Sequence, residues 1–245
     1  MIVPMTDTTY YTPKVVLAVG AHADDIDVIA GGSLARWVQE GAEVYYLVLT
    51  NSCCGSSDRS VTHEQLAQTR SEEQRAAAQL IGAKDVFILD NQDGGLEVSQ
   101  ALKTDIVRVI RQVKPDTVVT FDPSFIYSTE RGMLNHPDHR AAGQATLDAV
   151  FPLARDHLTY PQLLQDEQLE PHKVEHVMLS NMTEQNYFVD ISDQFEAKMQ
   201  AVTAHASQFS DPEMMREHLA KQAETLAAKT GSKYAEAFVR IDLAY

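Results

Sequence analysis

Cysteine is almost absent from this chain of 245 residues, and its two cysteines, Cys53 and Cys54, are adjacent. A bridge between neighbouring residues requires a strained turn, and no other cysteine is available, so the sequence excludes an intramolecular disulfide framework. We therefore expect the protein in a reducing compartment, the cytoplasm. The first residues lack a basic stretch followed by an apolar core, so no signal peptide is predicted.

Basic residues are few, and long apolar runs are missing. Lys and Arg number 20 against 35 Asp and Glu, which gives a formal net charge of −15. Because a phosphate backbone selects for Lys and Arg patches, we expect no nucleic-acid partner, and the acidity also disfavours an anionic membrane surface. No run approaches the roughly 18 apolar residues of a membrane span, so no membrane partner is expected. The length and the hydrophobic fraction of 44% predict a folded protein with a sizeable core.

Short apolar runs alternate with patterns typical of helices. Strands are predicted over 15–20, 43–50, 86–89 and 117–121, and helices over 31–40, 64–81 and about 100–113. Near-continuous apolar strands separated by helices indicate parallel βαβ units with right-handed crossovers. The sequence therefore predicts an α/β fold, a Rossmann-like and mostly parallel sheet with helices on both faces.

The second part of the chain has a weaker pattern. It predicts strands over 176–179 and 187–191 and helices over 195–206 and 214–229. We find no linker, repeat or low-complexity segment, so we expect a single domain over 1–245. It would have a core over 14–151 and a C-terminal strand and helix elaboration over 152–245.

Two clusters of imidazoles and carboxylates follow predicted strands. They contain His22, Asp24 and Asp25 after the first strand, and His136, Asp138 and His139 after the fourth. The carboxyl ends of parallel strands share one edge of a sheet, so we expect the clusters to meet. One His and one Asp from the first cluster with one His from the second would give three ligands and an open position for water, as in catalytic zinc sites. The remaining carboxylate and imidazole suit a general base and an oxyanion stabiliser, although spacing alone does not say which carboxylate binds metal.

A structural interpretation competes for each cluster. The pair Asp24 and Asp25 could cap the following helix, and the segment His-Pro-Asp-His could start one, with Pro137 in the first turn and Asp138 at the positive end. Two such clusters at the same predicted sheet edge favour a functional site.

Together the motifs resemble the PIG-L/LmbE-like N-deacetylase family. They are His22-Ala-Asp-Asp25, Gly31-Gly32, Arg70 with Glu73, Asp93-Gly94, His136-Pro-Asp-His139, and Lys198 followed by His205, Ser207 and Gln208. The resemblance implies a zinc-dependent, Rossmann-like enzyme that removes acetyl from N-acetylglucosamine-type groups. It also implies a small-molecule N-acetylated sugar or glycoside as partner and a homo-oligomer of unspecified size.

The resemblance also implies a role for each site residue. By similarity, one Zn²⁺ per chain is bound by His22, Asp25 and His139, although these ligands can hold other divalent transition metals. Asp24 is then the general base, His136 stabilises the oxyanion and protonates the amine, and Asp138 tunes an imidazole. The implied substrate-binding residues are Arg70, Asp93 and His205.

Each substrate-binding residue has a structural alternative. Arg70 could form an exposed pair with Glu73, Asp93 could belong to an Asp-Gly turn, and a helical His205 could simply pack against its neighbours. The chain also departs from the family pattern. Ala23 replaces a proline, and Cys53 stands where relatives often carry glutamate.

Three functions remain open at this point. The first is a zinc-dependent hydrolase that removes the N-acetyl group from an N-acetylglucosamine-type sugar through metal-activated water. The second is an amidase or deacylase of the same family acting on a larger amide, such as a thiol conjugate or an antibiotic glycoside. The third is a non-catalytic metal or sugar-binding module, which would not require the additional Asp24 and His136.

Overall fold

A seven-stranded sheet forms the centre of the computed structural model, which describes residues 10–244. Its strands are β1 Val15–Gly20, β2 Glu43–Thr50, β3 Asp85–Asn91, β4 Thr117–Phe121, β7 His176–Ser180, β8 Tyr187–Asp190 and β9 Ala235–Asp242. They lie in the order β3-β2-β1-β4-β7-β9-β8, with β9 antiparallel to both of its neighbours and the others parallel. A two-stranded hairpin, β5 Tyr127–Ser128 and β6 Met133–Leu134, lies apart from this sheet.

Helices cover both faces of the sheet, which confirms the predicted fold class. They are α1 Asp25–Gln39, α2 His63–Ile81, α3 Gln100–Val113, α4 Pro137–Asp148, α5 Pro161–Gln165, α6 Phe195–Thr203 and α7 Pro212–Ala227. Alternate residues of β1 enter different cores: Val16 packs with α1, α2, α6 and α7, and Leu17 with α3 and α4. This alternation is the two-residue period of a strand buried on both faces.

Helix α1 begins six residues before the predicted start at residue 31. Its first turn contains Asp25 and Asp27, whose negative charges suit the positive end of the helix dipole. Gly31 and Gly32 therefore lie inside the helix and do not open it. A Cβ on Gly32 would lie 2.7 Å from Ile191 Cδ1, so glycine lets α1 approach the segment after β8 closely.

The C-terminal elements join the same sheet through β7, β8 and β9. Strand β9 was not predicted, because its antiparallel partners lie far away in the sequence. Helix α6 ends at Thr203 and α7 ends at Ala227, each two or three residues before the predicted end. Over residues 10–244 no helix combines the length and apolar character that crossing a bilayer requires.

Candidate active site

The turn after β1 holds the first cluster in a constrained backbone. Asp25 Oδ2 accepts hydrogen bonds from the backbone N–H groups of Ala21 at 2.9 Å and His22 at 2.7 Å. Asp24 has a φ of 100°, a conformation that residues other than glycine rarely adopt, and its side chain makes no capping hydrogen bond. The alternative that Asp24 caps α1 with its carboxylate is therefore wrong, and its carboxylate lines a cavity instead.

Helix α4 brings the second cluster to the end of β4. A Cβ on Gly143 would clash with the carbonyl oxygen of Phe121, so glycine permits the close approach of α4 to this strand. At the start of the helix, His136 Nδ1 accepts the N–H of Asp138 at 3.1 Å. The His139 ring stacks on Phe121 with centroids 4.1 Å apart. The second cluster therefore starts a helix and also faces the first cluster.

The structure brings the two clusters together, as their places after parallel strands predicted. Ring nitrogens of His22, His136 and His139 lie within 4.8 Å of one another. Asp25 lies between two of these rings, with Oδ1 3.1 Å from His139 Nε2 and Oδ2 3.5 Å from His22 Nδ1. On its other side, His22 Nε2 lies 3.1 Å from Asp93 Oδ1 and 3.2 Å from Asp138 Oδ2.

The donor set fits a divalent transition metal such as zinc. Imidazole nitrogens and carboxylate oxygens are the ligands that Zn²⁺ accepts in catalytic sites. Four carboxylates, those of Asp24, Asp25, Asp93 and Asp138, gather here with a single guanidinium, that of Arg70. Such an excess of buried negative charge is costly unless a cation compensates it. Two groups have ligand atoms within 4.8 Å of one another: His22 with His136 and His139, and His22 with the buried Asp93 and Asp138. Asp25 contacts both His22 and His139 and is a further carboxylate available to a metal held by these rings.

The side chains at the turn differ strongly in proton affinity. Burial and the charge of Asp25 raise the pKa of Asp24 to about 7, against the attraction of Arg70. Burial would also raise the pKa of Asp25, but the adjacent His139 and His22 outweigh it and lower that pKa. Burial lowers the pKa of an imidazole, yet hydrogen bonds to Asp25 and Asp93 raise that of His22 to about 10.

His136 differs from His22 because it lacks such a carboxylate partner. Burial, followed by repulsion from His22 and His139, lowers the pKa of His136 below its usual value. Its Nδ1 accepts a backbone hydrogen bond, so the neutral ring carries its proton on Nε2. His136 therefore offers a hydrogen-bond donor to the cavity that it lines.

Arg70 lies inside the protein beside the first cluster. Its guanidinium donates to the carbonyl oxygens of Ala23 at 2.5 Å and Cys54 at 3.0 Å, and lies 3.5 Å from Asp24 Oδ1. Glu73 instead accepts hydrogen bonds from the backbone and hydroxyl of Ser207. The alternative of an exposed pair between Arg70 and Glu73 is therefore wrong. Substrate binding by Arg70 stays a prediction.

Asp93 belongs to both a turn and the cluster. Gly94 has a φ of 78°, and Asp93 Oδ2 accepts the backbone N–H of Cys54 at 3.0 Å. Asp138 accepts the N–H groups of Gly94 and Leu96, which ties this turn to α4. The two interpretations of Asp93, as a turn residue and as a site residue, are compatible, because one carboxylate oxygen accepts the Cys54 N–H and the other lies beside His22.

His205 does not join the cluster. Its side chain is fully buried, and its Nε2 lies 2.9 Å from Asp27 Oδ2. Asp27 also accepts hydrogen bonds from Gln74 Nε2 at 2.8 Å and Tyr46 Oη at 2.9 Å. In this conformation His205 presents no surface to the cavity, so its predicted contact with substrate is not supported by its position.

Gln74 and Asp27 are residues that sequence analysis missed. Gln74 Oε1 accepts the backbone N–H of Asp24 at 3.1 Å, while its amide nitrogen bonds Asp27. A signal was present in the spacing, because Gln74 follows Arg70 by four residues and so lies on the same face of α2. Gln74 thus connects the buried His205 to the strained Asp24.

An active-site cavity of about 390 Å³ lies over the clusters. Its polar wall contains Asp24, Asp25, His136 and His139, and its other wall is largely apolar, formed by Phe121, Phe125, Met133, Leu134, Met182, Phe209, Met215 and Leu219. This volume lies within the range of small-molecule sites. At the rim the Leu134 side chain is 81% exposed.

Known proteins share both this sequence and this architecture. Residues 17–150 match the family model described as PIG-L, GlcNAc-PI de-N-acetylase. The diacetylchitobiose deacetylase of Thermococcus kodakarensis is 34% identical over 225 residues, which are 91% of this chain and 81% of that protein. A probable N-acetyl-α-D-glucosaminyl L-malate deacetylase of Bacillus anthracis is 25% identical over 86% of this chain and 89% of its own.

A solved structure extends the similarity to the fold. The N,N'-diacetylchitobiose deacetylase from Pyrococcus horikoshii superposes with a TM-score of 0.86 and 30% identity, covering 94% of this chain and 84% of its own. Sequence and architecture thus agree over most of the chain. The chain belongs to the PIG-L family and is an enzyme of the N-deacetylase class.

Proposed function

We propose that the protein is a zinc-dependent hydrolase that removes the N-acetyl group from an N-acetylglucosamine-type sugar or glycoside. The observation that carries the proposal is the convergence of His22, Asp25 and His139 beside two further groups, Asp24 and His136, in one cavity. A binding module would need the ligands but not this additional acid and imidazole. The family membership supports the same reaction class.

The zinc ion would be held by His22, Asp25 and His139. His136 is the alternative to Asp25 as the third ligand. When bound, it supplies Lewis acidity, which makes water more acidic and polarises a carbonyl oxygen. His139 is oriented by Asn135 Oδ1 at 3.2 Å from its Nδ1, which leaves Nε2 facing Asp25. Such outer partners fix the ring orientation of metal-binding imidazoles.

Asp24 would act as the general base. Its carboxylate lines the cavity and is free of backbone hydrogen bonds, unlike that of Asp25. The raised pKa of Asp24 reflects a carboxylate that accepts a proton readily. Asp24 would remove a proton from the attacking water and hold it at a carboxylate oxygen.

His136 would act on the opposite side of the acetyl group. Its Nε2–H would donate a hydrogen bond to the carbonyl oxygen as negative charge develops there. The departing amine would take the proton that Asp24 removed from the attacking water, so that acetate and a free amino sugar result. A neutral ring whose Nδ1 accepts an N–H has no acidic proton to give, so His136 would stabilise the oxyanion and would not act as the acid, contrary to the sequence-based expectation. The Asp138 N–H that bonds Nδ1 fixes the ring for this role.

The apolar wall of the active-site cavity favours one alternative within the same chemistry. Phe121, Phe125, Phe209 and Met215 offer contact surface for an acyl chain longer than acetyl. Comparing N-acetyl, N-butanoyl and N-hexanoyl glucosamine separates the two functions. Highest kcat/KM for the acetyl compound supports a deacetylase, and highest kcat/KM for a longer chain supports a deacylase.

The main test is release of free amine from N-acetylated sugars and glycosides by the zinc-loaded protein, compared with Asp24→Asn. We expect the variant to retain zinc and to lose about 10²–10⁴-fold in kcat, the usual contribution of a general base. Undiminished turnover by Asp24→Asn would remove the base assignment. No amine release from any N-acylated sugar would contradict the proposed function.

A further inference from the structure

A second cavity adjoins the active-site cavity described above. It has a volume of about 380 Å³ and lies between α1, α7 and β9. The two cavities share wall residues, among them Val28, Ile29, Met182, His218 and Leu219. Each volume alone is near the lower end for small-molecule sites, and together they would enclose a substrate larger than one monosaccharide.

The charge of this second cavity is opposite to that of the protein. Its walls contain three basic side chains, Arg131, Lys198 and Lys221, and one acidic side chain, Glu236. Lys198 and Glu236 form an ion pair at 2.5 Å, and the lysine also donates to the carbonyl oxygen of Val28, so this pair is internally neutral. Arg131 and Lys221 remain as net positive charge in a chain whose formal charge is −15.

Neither Arg131 nor Lys221 forms an ion pair with any residue in the range 10–244. Arg108 and Arg216 each pair with a carboxylate, whereas the positive charge of Arg131 and Lys221 is not neutralised within the second cavity. The active-site cavity, by contrast, presents Asp24 and Asp25. A ligand that spans both cavities would therefore meet a metal and its ligands at one end and unpaired cations at the other.

We propose that the second cavity binds an anionic group, a carboxylate or a phosphate, on the part of the substrate attached to the N-acetylated sugar. This inference rests on the proposed function, because the active-site cavity must hold the acetamido group while the second cavity holds the aglycone. Val28, Ile29 and Leu219 supply apolar contact along the path between them. Arg131 and Lys221 supply the charge that selects an anion over a neutral aglycone.

The pair His218 and Gln222 lies at the boundary between the cavities. His218 Nε2 and Gln222 Nε2 are 2.7 Å apart, one turn from each other on α7, and both residues line both cavities. They offer the polar groups on this wall that would contact the linkage between sugar and aglycone. Both are accordingly positioned to influence the length of substrate that the enzyme accepts.

The test compares three N-acetylglucosaminides: the neutral methyl glycoside, a glycoside of glycolate, and N-acetylglucosamine 1-phosphate. kcat/KM is measured for wild type, Lys221→Glu and Arg131→Glu, with Lys229→Glu as a control of equal charge change outside both cavities. We expect wild type to favour at least one anionic compound by about tenfold, a preference that salt weakens. Lys221→Glu and Arg131→Glu should each lower that preference about tenfold while changing the neutral substrate less than about twofold.

The outcomes separate this inference from the proposed function. Equal kcat/KM for neutral and anionic glycosides, or an unchanged preference in both cavity variants, would overturn the second-cavity assignment and leave the deacetylase intact. The glycolate and phosphate compounds show which anion is preferred. If no compound is hydrolysed, the proposed function fails, and calorimetric Kd values decide the inference: tighter anion binding that Lys221→Glu abolishes supports it, and equal Kd values contradict it.

Discussion

Asp24 and Asp25 are neighbours in the chain, yet their environments shift their pKa values in opposite directions. Asp25 accepts two backbone N–H groups and faces His139 and His22, whereas Asp24 faces the cavity next to the charge of Asp25. Pairs of acids separated in this way indicate different roles. The lowered pKa keeps the Asp25 carboxylate ionised, as the proposed metal ligand requires, and the raised pKa of Asp24 suits the proposed base.

The third metal ligand can be decided by two substitutions. We expect Asp25→Asn to lower zinc content to well below one ion per chain, because loss of a carboxylate that binds the metal directly weakens metal binding strongly. His136→Asn, which keeps a capping side chain at the start of α4, should retain zinc and lose activity. Metal analysis after gel filtration distinguishes the two. Full zinc in Asp25→Asn together with depletion in His136→Asn would instead assign the third position to the imidazole.

The raised pKa of Asp24 also predicts a stability effect in the metal-free protein. The folded-state pKa of about 7 exceeds the ordinary value of 3.8, so the unfolded chain releases this proton at lower pH than the folded chain. Ionisation therefore weakens the fold progressively between about pH 4 and 7, and the cost is complete above that range. Asp24→Asn should stabilise the chelated protein at pH 8 by on the order of 1–4 kcal/mol, and less as pH falls toward 4.

Thermal unfolding of chelated protein at pH 8, 6 and 5 measures this effect. The exposed Asp193 provides a control, because Asp193→Asn removes the same charge at a solvated position. The prediction would be contradicted if the stabilisation by Asp24→Asn were constant over this pH range, or if it were no larger than the stabilisation by Asp193→Asn.

Between elements, helix α2 supports the turn that carries Asp24. Gln74 joins the Asp24 backbone to Asp27, which in turn contacts His205 on the segment after α6. This chain of hydrogen bonds connects α1, α2 and the segment after α6. It holds a backbone conformation that Asp24 would not adopt by itself.

Loss of this link should affect turnover more than substrate binding. In Gln74→Leu the partly buried N–H of Asp24 loses its acceptor, at a cost of about 1–3 kcal/mol, and the base is held less firmly. We expect kcat to fall at least about tenfold with KM nearly unchanged, since misplacing a catalytic group raises the barrier. Gln79→Leu, an exposed position on the same helix, is the matched control. A rise in KM as large as the fall in kcat, or no change in either constant, would argue against a positioning role for Gln74.

Close packing of α4 on β4 is a second element-scale requirement. Gly143→Ala would place a methyl group against the carbonyl oxygen of Phe121 and push α4, with His136 and His139, away from the first cluster. We expect destabilisation of about 1–3 kcal/mol and weaker zinc binding. Denaturant unfolding and zinc titration measure the two effects. Gly95→Ala, where a Cβ would meet no atom closer than 3.8 Å, should change neither.

For the whole molecule, the parallel sheet explains why two distant segments form one site. The ends of β1 and β4 are adjacent because these strands pair directly, so residues 22–25 and 136–139 meet although more than a hundred residues separate them. The C-terminal elements then build the opposite wall, with α7 contributing Met215, His218 and Leu219. The homo-oligomer that the resemblance implies stays a prediction, which a solution mass measurement can check.

Much of this arrangement could be predicted from the sequence. The bounds of β1, β2 and β4 were predicted without error, because near-continuous apolar runs with polar ends encode buried parallel strands locally. The meeting of the two clusters followed from the rule that such strands place their carboxyl ends together. The start of α1 was placed too late, since its acidic first turn has the same composition as a loop.

By itself, therefore, the sequence determined the parallel strands of the sheet and the edge at which the two clusters gather. Only the tertiary structure decided that His205 is enclosed, that Gln74 supports Asp24, and that a positively charged cavity lies beside the active-site cavity. Strand and helix periodicity depends on residues a few positions apart, whereas burial and hydrogen-bond partners depend on residues that only folding brings into contact. The antiparallel insertion of β9 between β7 and β8 is such a case, and it supplies Ala235, Glu236 and Ala237 to the wall of the second cavity.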